Sequence, residues 1–240
     1  MLDTDLNCNI RMENWLNTRI IYEDQDVLVI HKPAGIATET ARIGQADVVS
    51  ELRNYRAQKK DDTYVGMIHR LDQPVEGLLL FAKNPIAAKK LTQDLNHGLL
   101  KKSYYALVQG VTQEEGRLED YLLKNPKTNL SAVVSKDTPG AKYAALSFKR
   151  VQTVQIGEQQ ASLLEVWIET GRHHQIRCQM SHAGFALVGD QKYGNETTKR
   201  MAMTLRLRQT ALLAAKLSYM HPKTGQPMNH EIPIPENWTN

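Results

Sequence analysis

The chain has 240 residues, 41% of them hydrophobic, enough to bury a sizeable core in one domain or two small ones. Two cysteines, Cys8 and Cys178, exclude a disulfide framework and a four-thiolate metal site. No apolar run nears the roughly 18 residues that cross a bilayer, and no charged n-region followed by an apolar h-region opens the chain. A reduced, cytoplasmic protein without a membrane segment is therefore expected. Net charge is +4 but uneven: residues 1–50 carry 8 acids against 4 Lys/Arg, and residues 171–220 carry 8 Lys/Arg against 2 acids. A basic segment in a near-neutral chain suits an anionic partner such as nucleic acid, and equally an ordinary solvated face.

Residues 1–18 are polar and aperiodic, and a mobile lead is expected there, with one domain over 19–240. Ile20 to Tyr22 and Val27 to His31 read as short strands around the turn-rich Glu23–Asp26, and Lys32-Pro33-Ala34-Gly35 stops the second. Val48, Val49, Leu52 and Tyr55 have helical spacing within 46–58. Leu78 to Ala82 is too short for a helix and reads as a buried strand. Asn84-Pro85 starts a helix, a capping side chain followed by proline, with Ala87, Ala88, Leu91 and Leu95 as its apolar stripe. Tyr104 to Val108, Ala144 to Phe148 and Leu163 to Ile168 are strand-like. His174 to His182 reads as a short helix closed by Gly184, and the final 40 residues as strand and turn. The mixture is α+β with strands predominating.

Residues 69–84 read HRLDQPVEGLLLFAKN. Pro74 disfavours helix at Gln73 and would break one through 69–76. Asp72 and Glu76, although four apart, are then not helical neighbours, and 69–76 is a loop leading into a strand. Loops on rigid strand ends are where catalytic groups tend to sit, although a lone aspartate there also suits a structural ion pair. Residues 171–182 read GRHHQIRCQMSH. On a helix His173 and Arg177 share a face, and His174, Arg177 and Ser181 fall close together. A metal held by His173, His174 and His182 is disfavoured, because adjacent histidines point apart and no Cys or acid sits at ligand spacing. A phosphate or carboxylate suits Arg177 better, since its guanidinium offers a matching fork of donors.

These segments resemble the RluA-type RNA pseudouridine synthases. HRLDQPVEGLLLFAK is similar to that family's HRLD signature, with its following glycine and hydrophobic run to Ala-Lys. VLVIHKPAGI (27–36) resembles its strand and KPAG turn, and KSYYALVQG (102–110) its K-x-Y-x-A-L-V-x-G segment. GRHHQIRCQMSHAGFALVGDQKYG (171–194) resembles its G-R-x-H-Q-I-R block running on to G-D-x-x-Y-G, and LSYMHPKTGQPM (217–228) its closing strand and turn. Four motifs in order, over about residues 20–235, make the resemblance specific. Val75 and Glu76 depart from it, standing where Thr-Ser is usual, and His173 stands where Thr is common.

The resemblance implies the pseudouridine synthase fold, a bent, mixed and mainly antiparallel sheet with helices and loops around a central active-site cleft. It implies isomerisation of uridine in tRNA or rRNA, with no cofactor and no metal. It places the essential carboxylate at Asp72, acting at C1′ or on the 2′-proton, with Arg177 as its partner and Tyr104 stacked on the base. Arg70 would fill the place of an extruded uridine, or contact phosphate. His69, Lys83, Arg172, His174 and Gln175 are implied as further RNA or base contacts, and Lys199, Arg200, Arg206 and Arg208 become candidates for the RNA backbone. About 19 residues precede the first core strand, so no N-terminal S4-type domain is expected, and a compact stem-loop bound by a monomer is favoured. Two other readings stand beside this one: an idle RNA-binding module on the same fold, and a glycoside or nucleoside hydrolase using Asp72 and Glu76.

Overall fold

The computed structural model describes residues 16–40 and 44–239. Residues 1–15 of the expected lead lie outside the described residues. In chain order come β1 (Ile20–Glu23), β2 (Val27–Lys32), α1 (Val48–Gln58), β3 (Gly66–Met67), β4 (Glu76–Ala82) and α2 (Pro85–Asn96). β5 (Lys101–Gln109), β6 (Glu115–Asn125), β7 (Leu130–Val134), β8 (Lys142–Ile156) and β9 (Gln159–Ile168) follow. Then come α3 (Gln175–His182), α4 (Glu196–Thr204), β10 (Leu212–Met220), β11 (Pro227–Glu231) and a short 3-10 turn at Glu236–Trp238. The composition is α+β as expected, and among the described residues no helix is long and apolar enough to cross a membrane. Contacts divide the chain into two compact units, one running to Lys101 and taking in Lys216–Ile232, the other formed by Lys102–Ala215 and the segment from Pro233.

In the first unit β2 pairs antiparallel with both β1 and β4, from Val27 opposite Ala82 to Lys32 opposite Gly77. Val27 to Ile30 and Leu78 to Ala82 are all buried. Strands covered on both faces read as unbroken apolar runs rather than alternation, which is why both were legible. The Asp24 carboxylate shapes the β1–β2 turn by accepting the N–H groups of Asp26 and Val27, each at 2.8 Å. α1 and α2 start where side chains cap them: Asp47 accepts from Ser50, and Asn84 from Ala87 with Pro85 next in line.

In the second unit the strand order is β5, β9, β8, β6, β7, every pair antiparallel. β8 runs through 15 residues, well beyond the expected Ala144 to Phe148. A register shift against β9 between Arg150 and Gln152 lets it bend and continue. A helix that the sequence reading did not assign, α4, runs into the start of the final 40 residues, where strand and turn alone were expected. α4 is fixed at its start by a capping box between Asn195 and Thr198, and Thr198, Met201 and Ala202 are its buried positions. With only Met201 and Ala202 apolar among those three, its helical periodicity in sequence is faint.

Candidate functional site

The loop before β4 is anchored at both ends and in the middle. His69, 7% exposed, accepts the Leu80 N–H on Nε2 at 3.3 Å, tying the loop to the strand it precedes. The Thr38 hydroxyl donates to the Leu71 carbonyl at 2.9 Å and accepts from the Leu71 N–H at 3.2 Å. The Gly35 N–H donates to the Gln73 carbonyl at 2.8 Å, and the Gln73 side-chain amide donates to the Gly35 carbonyl at 3.0 Å. The Asp72 carbonyl accepts the Val75 N–H at 3.0 Å, closing a turn that contains Pro74. Asp72 is thus carried on backbone that the 32–38 segment holds on either side.

Lys32 is the centre of that hold. It is fully buried, and its ammonium donates to the carbonyls of Pro33 at 2.9 Å, Ile36 at 2.8 Å and Gln73 at 3.2 Å. Burial lowers its pKa to about 7, against the opposing pull of the Asp72 and Glu76 carboxylates. Lys32 was not singled out from the sequence. The signal was a lysine closing an apolar strand just before proline.

Glu76 is paired. Its Oε1 lies 2.8 Å from His31 Nε2 and 3.1 Å from Arg19 Nη1. The hydrogen bond from His31, aided by Arg19, holds its carboxyl below the usual value despite burial. An acid held ionised is a poor proton donor, so Glu76 does not suit the general-acid role in a paired-carboxylate hydrolase. Arg70 is exposed. Lys83 sits at the far end of the seven-residue β4 from Asp72, roughly 23 Å along the strand. Its ammonium is bound to Glu23 at 2.8 Å and the Asp24 carbonyl at 2.7 Å.

In the second unit Arg177 and Asp190 form a two-pronged pair, Nε to Oδ2 at 2.7 Å and Nη2 to Oδ1 at 2.8 Å. Both are almost wholly buried, at 2% and 1% exposure. Burial pushes Asp190 towards protonation, and the Arg177 hydrogen bonds outweigh it, so its pKa lies below the ordinary value. Asp190 sits in the GDQKYG loop (189–194), whose two glycines are sterically required. At Gly189, with φ +75°, a Cβ would lie 2.6 Å from the Gln209 carbonyl. At Gly194 it would strike the Asp190 carbonyl and the Thr198 hydroxyl, the latter part of the α4 cap. The helix that the sequence reading missed is therefore what packs the Asp190 loop. The G-D-x-x-Y-G pattern had carried the signal for Asp190.

His173 and His174 overturn one sequence argument. Adjacent histidines were expected to point apart, yet their rings stack with centroids 3.7 Å apart. The cause is backbone: His174 takes a left-handed conformation, φ 54°, outside the helix that starts at Gln175. His173 also precedes that helix rather than sharing its face with Arg177. His173 Nδ1 lies 2.9 Å from the Ser131 hydroxyl, which donates to the His173 carbonyl at 2.8 Å. His174 Nδ1 lies 2.8 Å from the Tyr193 hydroxyl, which accepts the Ser131 N–H at 2.7 Å. The Tyr193 ring lies under the Arg177 guanidinium, 5.3 Å from centroid to Cζ.

Gln175 spends its amide internally, accepting from Thr170 at 2.8 Å and the Arg172 N–H at 2.9 Å and donating to the Ala145 carbonyl at 3.0 Å. Arg172 is exposed, its Nε donating to the Tyr143 carbonyl at 2.8 Å. Tyr104 is buried at 5% exposure on β5, opposite Val166. Metal-like proximity among the described residues occurs at Asp24, Asp26 and His221, not among the 171–182 histidines. Asp24 there caps the β1–β2 turn and pairs with His221 at 2.7 Å, and Asp26 accepts from Asn84 at 2.9 Å.

Residues 26–182 match the RNA pseudouridylate synthase family, and that span contains Asp72, Tyr104 and Arg177. The chain belongs to this family. It is 32% identical over 225 residues to a protein named ribosomal large subunit pseudouridine synthase D from Neisseria meningitidis serogroup A, covering 91% of this chain and 58% of that one. It is 29% identical over 228 residues to one named tRNA pseudouridine synthase C from Haemophilus ducreyi, covering 91% of this chain and 92% of that one. The chain thus spans little more than half of the Neisseria relative. The solved structure of human RNA pseudouridylate synthase domain containing 4 matches with a TM-score of 0.76 at 18% identity, over 98% of this chain and 95% of that one. The fold is therefore that of the pseudouridylate synthase domains. In this family member the KPAG turn and the HRLD loop are one hydrogen-bonded construction, and the G-R-x-H-Q-I-R helix and the G-D-x-x-Y-G loop are another.

Proposed function

We propose that the protein is an RNA pseudouridine synthase, with Asp72 as the carboxylate that acts on the ribose of a uridine. The observation that carries this reading is the clamp on the Asp72 loop: backbone on both sides of the carboxylate is fixed, and a buried ammonium sits within the same construction. A reacting group gains rate from such positioning. In the reaction the N1–C1′ bond breaks, the uracil turns, C5 bonds to C1′, the C5 proton leaves and N1 gains a proton. Atoms and electrons balance without an oxidant. Asp72 adds to C1′ or takes the 2′-proton, both of which need its ionised form.

Tyr104 and Arg177 serve the same uridine, Tyr104 against the base and Arg177 as a fixed cation whose orientation Asp190 sets. Arg70, exposed beside Asp72 in sequence, fills the place that the extruded nucleotide leaves. Arg172 contacts RNA. His69, Gln175 and His174 act by holding backbone and ring positions, as their hydrogen bonds indicate, and Lys83 acts through the network at the distant end of β4. The substrate is a structured stem-loop of tRNA or rRNA, bound by a monomer. Release of tritium from RNA labelled at uridine C5 tests the reading. The wild type is expected to release it from total tRNA or rRNA, and Asp72→Asn to lose at least about a thousandfold in rate. Release that survives Asp72→Asn would remove Asp72 from the chemistry.

A further inference from the structure

The second unit carries a concentration of cations that the proposed chemistry does not use. Between residues 124 and 142 lie Lys124, Lys127, Lys136 and Lys142, all exposed, with one acid, Asp137, among them. None of the four forms an ion pair among the described residues. Some exposed cations elsewhere do, among them Lys59 with Glu23, Lys90 with Asp94, Lys149 with Glu115 and Lys199 with Glu196. Two further cations from distant segments are fastened onto the same hairpin by backbone carbonyls. Lys192 donates to the Asn129 carbonyl at 2.9 Å, and Arg172 to the Tyr143 carbonyl at 2.8 Å.

Register decides which way part of this charge faces. Lys124 is directly opposite Ser131 on β7, and Lys142 is opposite Leu122 on β8. Directly opposed residues share a face, and so do residues two apart along a strand. Lys124, Lys142, Leu122 and Ser131 therefore lie on one face. Leu122 packs there with Cys178 of α3, and Ser131 hydrogen-bonds His173. Lys124 and Lys142 thus share the face on which the helix carrying Arg177 packs, and Ser131 ties the hairpin to the segment before that helix.

We propose that this β6–β7–β8 face is the track for the RNA phosphate backbone on the way to the target uridine. The inference rests on the synthase reading for the identity of the polyanion. Phosphate contacts of this kind set register and orientation without reading sequence. Of the basic residues at 199–208, where backbone contacts were first expected, Lys199 pairs with Glu196 at 2.7 Å, while Arg200, Arg206 and Arg208 are candidates beside this face.

The test is binding of total tRNA across a salt series by the wild type, by Lys124→Gln/Lys127→Gln/Lys136→Gln/Lys142→Gln, and by a control carrying Arg53→Gln/Lys89→Gln/Lys101→Gln/Lys223→Gln. Each lost phosphate contact makes log K against log salt shallower by about 0.7–0.9. The hairpin variant is expected to bind at least about tenfold more weakly at moderate salt, with a slope reduced by about 2–3, while the control stays near the wild type. A wild-type slope in the hairpin variant, or an equal loss in the control, would overturn the proposal. Tritium release by the wild type is read separately: its absence would remove the synthase reading, while the binding series still decides whether the hairpin tracks RNA.

Discussion

The first unit positions a carboxylate with backbone groups and one buried amine, whereas the second holds a guanidinium against a carboxylate as buried as itself. In the first, the strain of burial falls on Lys32, whose pKa drops to about 7, and the carbonyls it serves are neutral. In the second, two full charges are desolvated together and each depends on the other. The contrast teaches that the two residues should respond differently to losing their holders. The Asp72 loop has several independent fastenings, at Thr38, Gly35 and Lys32, and should loosen by degrees. Asp190 supplies two prongs to Arg177 from one side chain, and its loss should be abrupt.

The sharpest way to break this comparison is Asp190→Asn. It removes the charge facing Arg177 and is expected to destabilise the fold by about 3 kcal/mol, read as a lowered urea midpoint. A loss under about 1 kcal/mol would show the pair to be dispensable. Lys32→Met should cost less, about 1–3 kcal/mol, because its hydrogen bonds go to neutral carbonyls and no charge is left buried without its partner in contact, with activity falling by up to about a hundredfold as the loop shifts.

That same variant carries a pH signature. The folded pKa of Lys32, about 7, lies below its ordinary 10.5. Over that interval the unfolded chain holds more protons than the folded one, so stability rises with pH from about 7 towards 10.5. The rise is expected in the wild-type urea midpoint and should be diminished in Lys32→Met. An identical pH profile in both would show that Lys32 is not the titrating group. Glu76→Gln is the smallest effect: its pairs with Arg19 and His31 are a third exposed, so the loss is expected near 0.5 kcal/mol, with tritium release retained. Equal loss of activity in Glu76→Gln and Asp72→Asn would revive the paired-carboxylate alternative.

Legibility in the sequence followed burial. β2 and β4 stood out because both their faces are covered, and α2 because Asn84-Pro85 states its start in two residues. β6 was harder to read because its residues alternate between intermediate and exposed, with Leu122 its buried exception. α4 was missed because its apolar stripe is only Met201 and Ala202 beside Thr198. Asp72 and Arg177 were legible as members of motifs, but their supports were not, since Thr38 lies 33 residues from Leu71 and Asp190 lies 13 from Arg177.

By itself the sequence determined the α+β class, the main strands, one capped helix start and the family, because these rest on local periodicity, capping chemistry and contiguous motifs. Only the tertiary structure decided that Lys32 clamps the Asp72 loop, that Asp190 holds Arg177, and that His173 stacks on His174. It also committed Glu76 to His31 and Arg19. The physical reason is common to all four. Each depends on hydrogen-bond geometry, on charge removed from water or on a left-handed backbone angle, and folding sets these by bringing together groups that local sequence pattern does not relate.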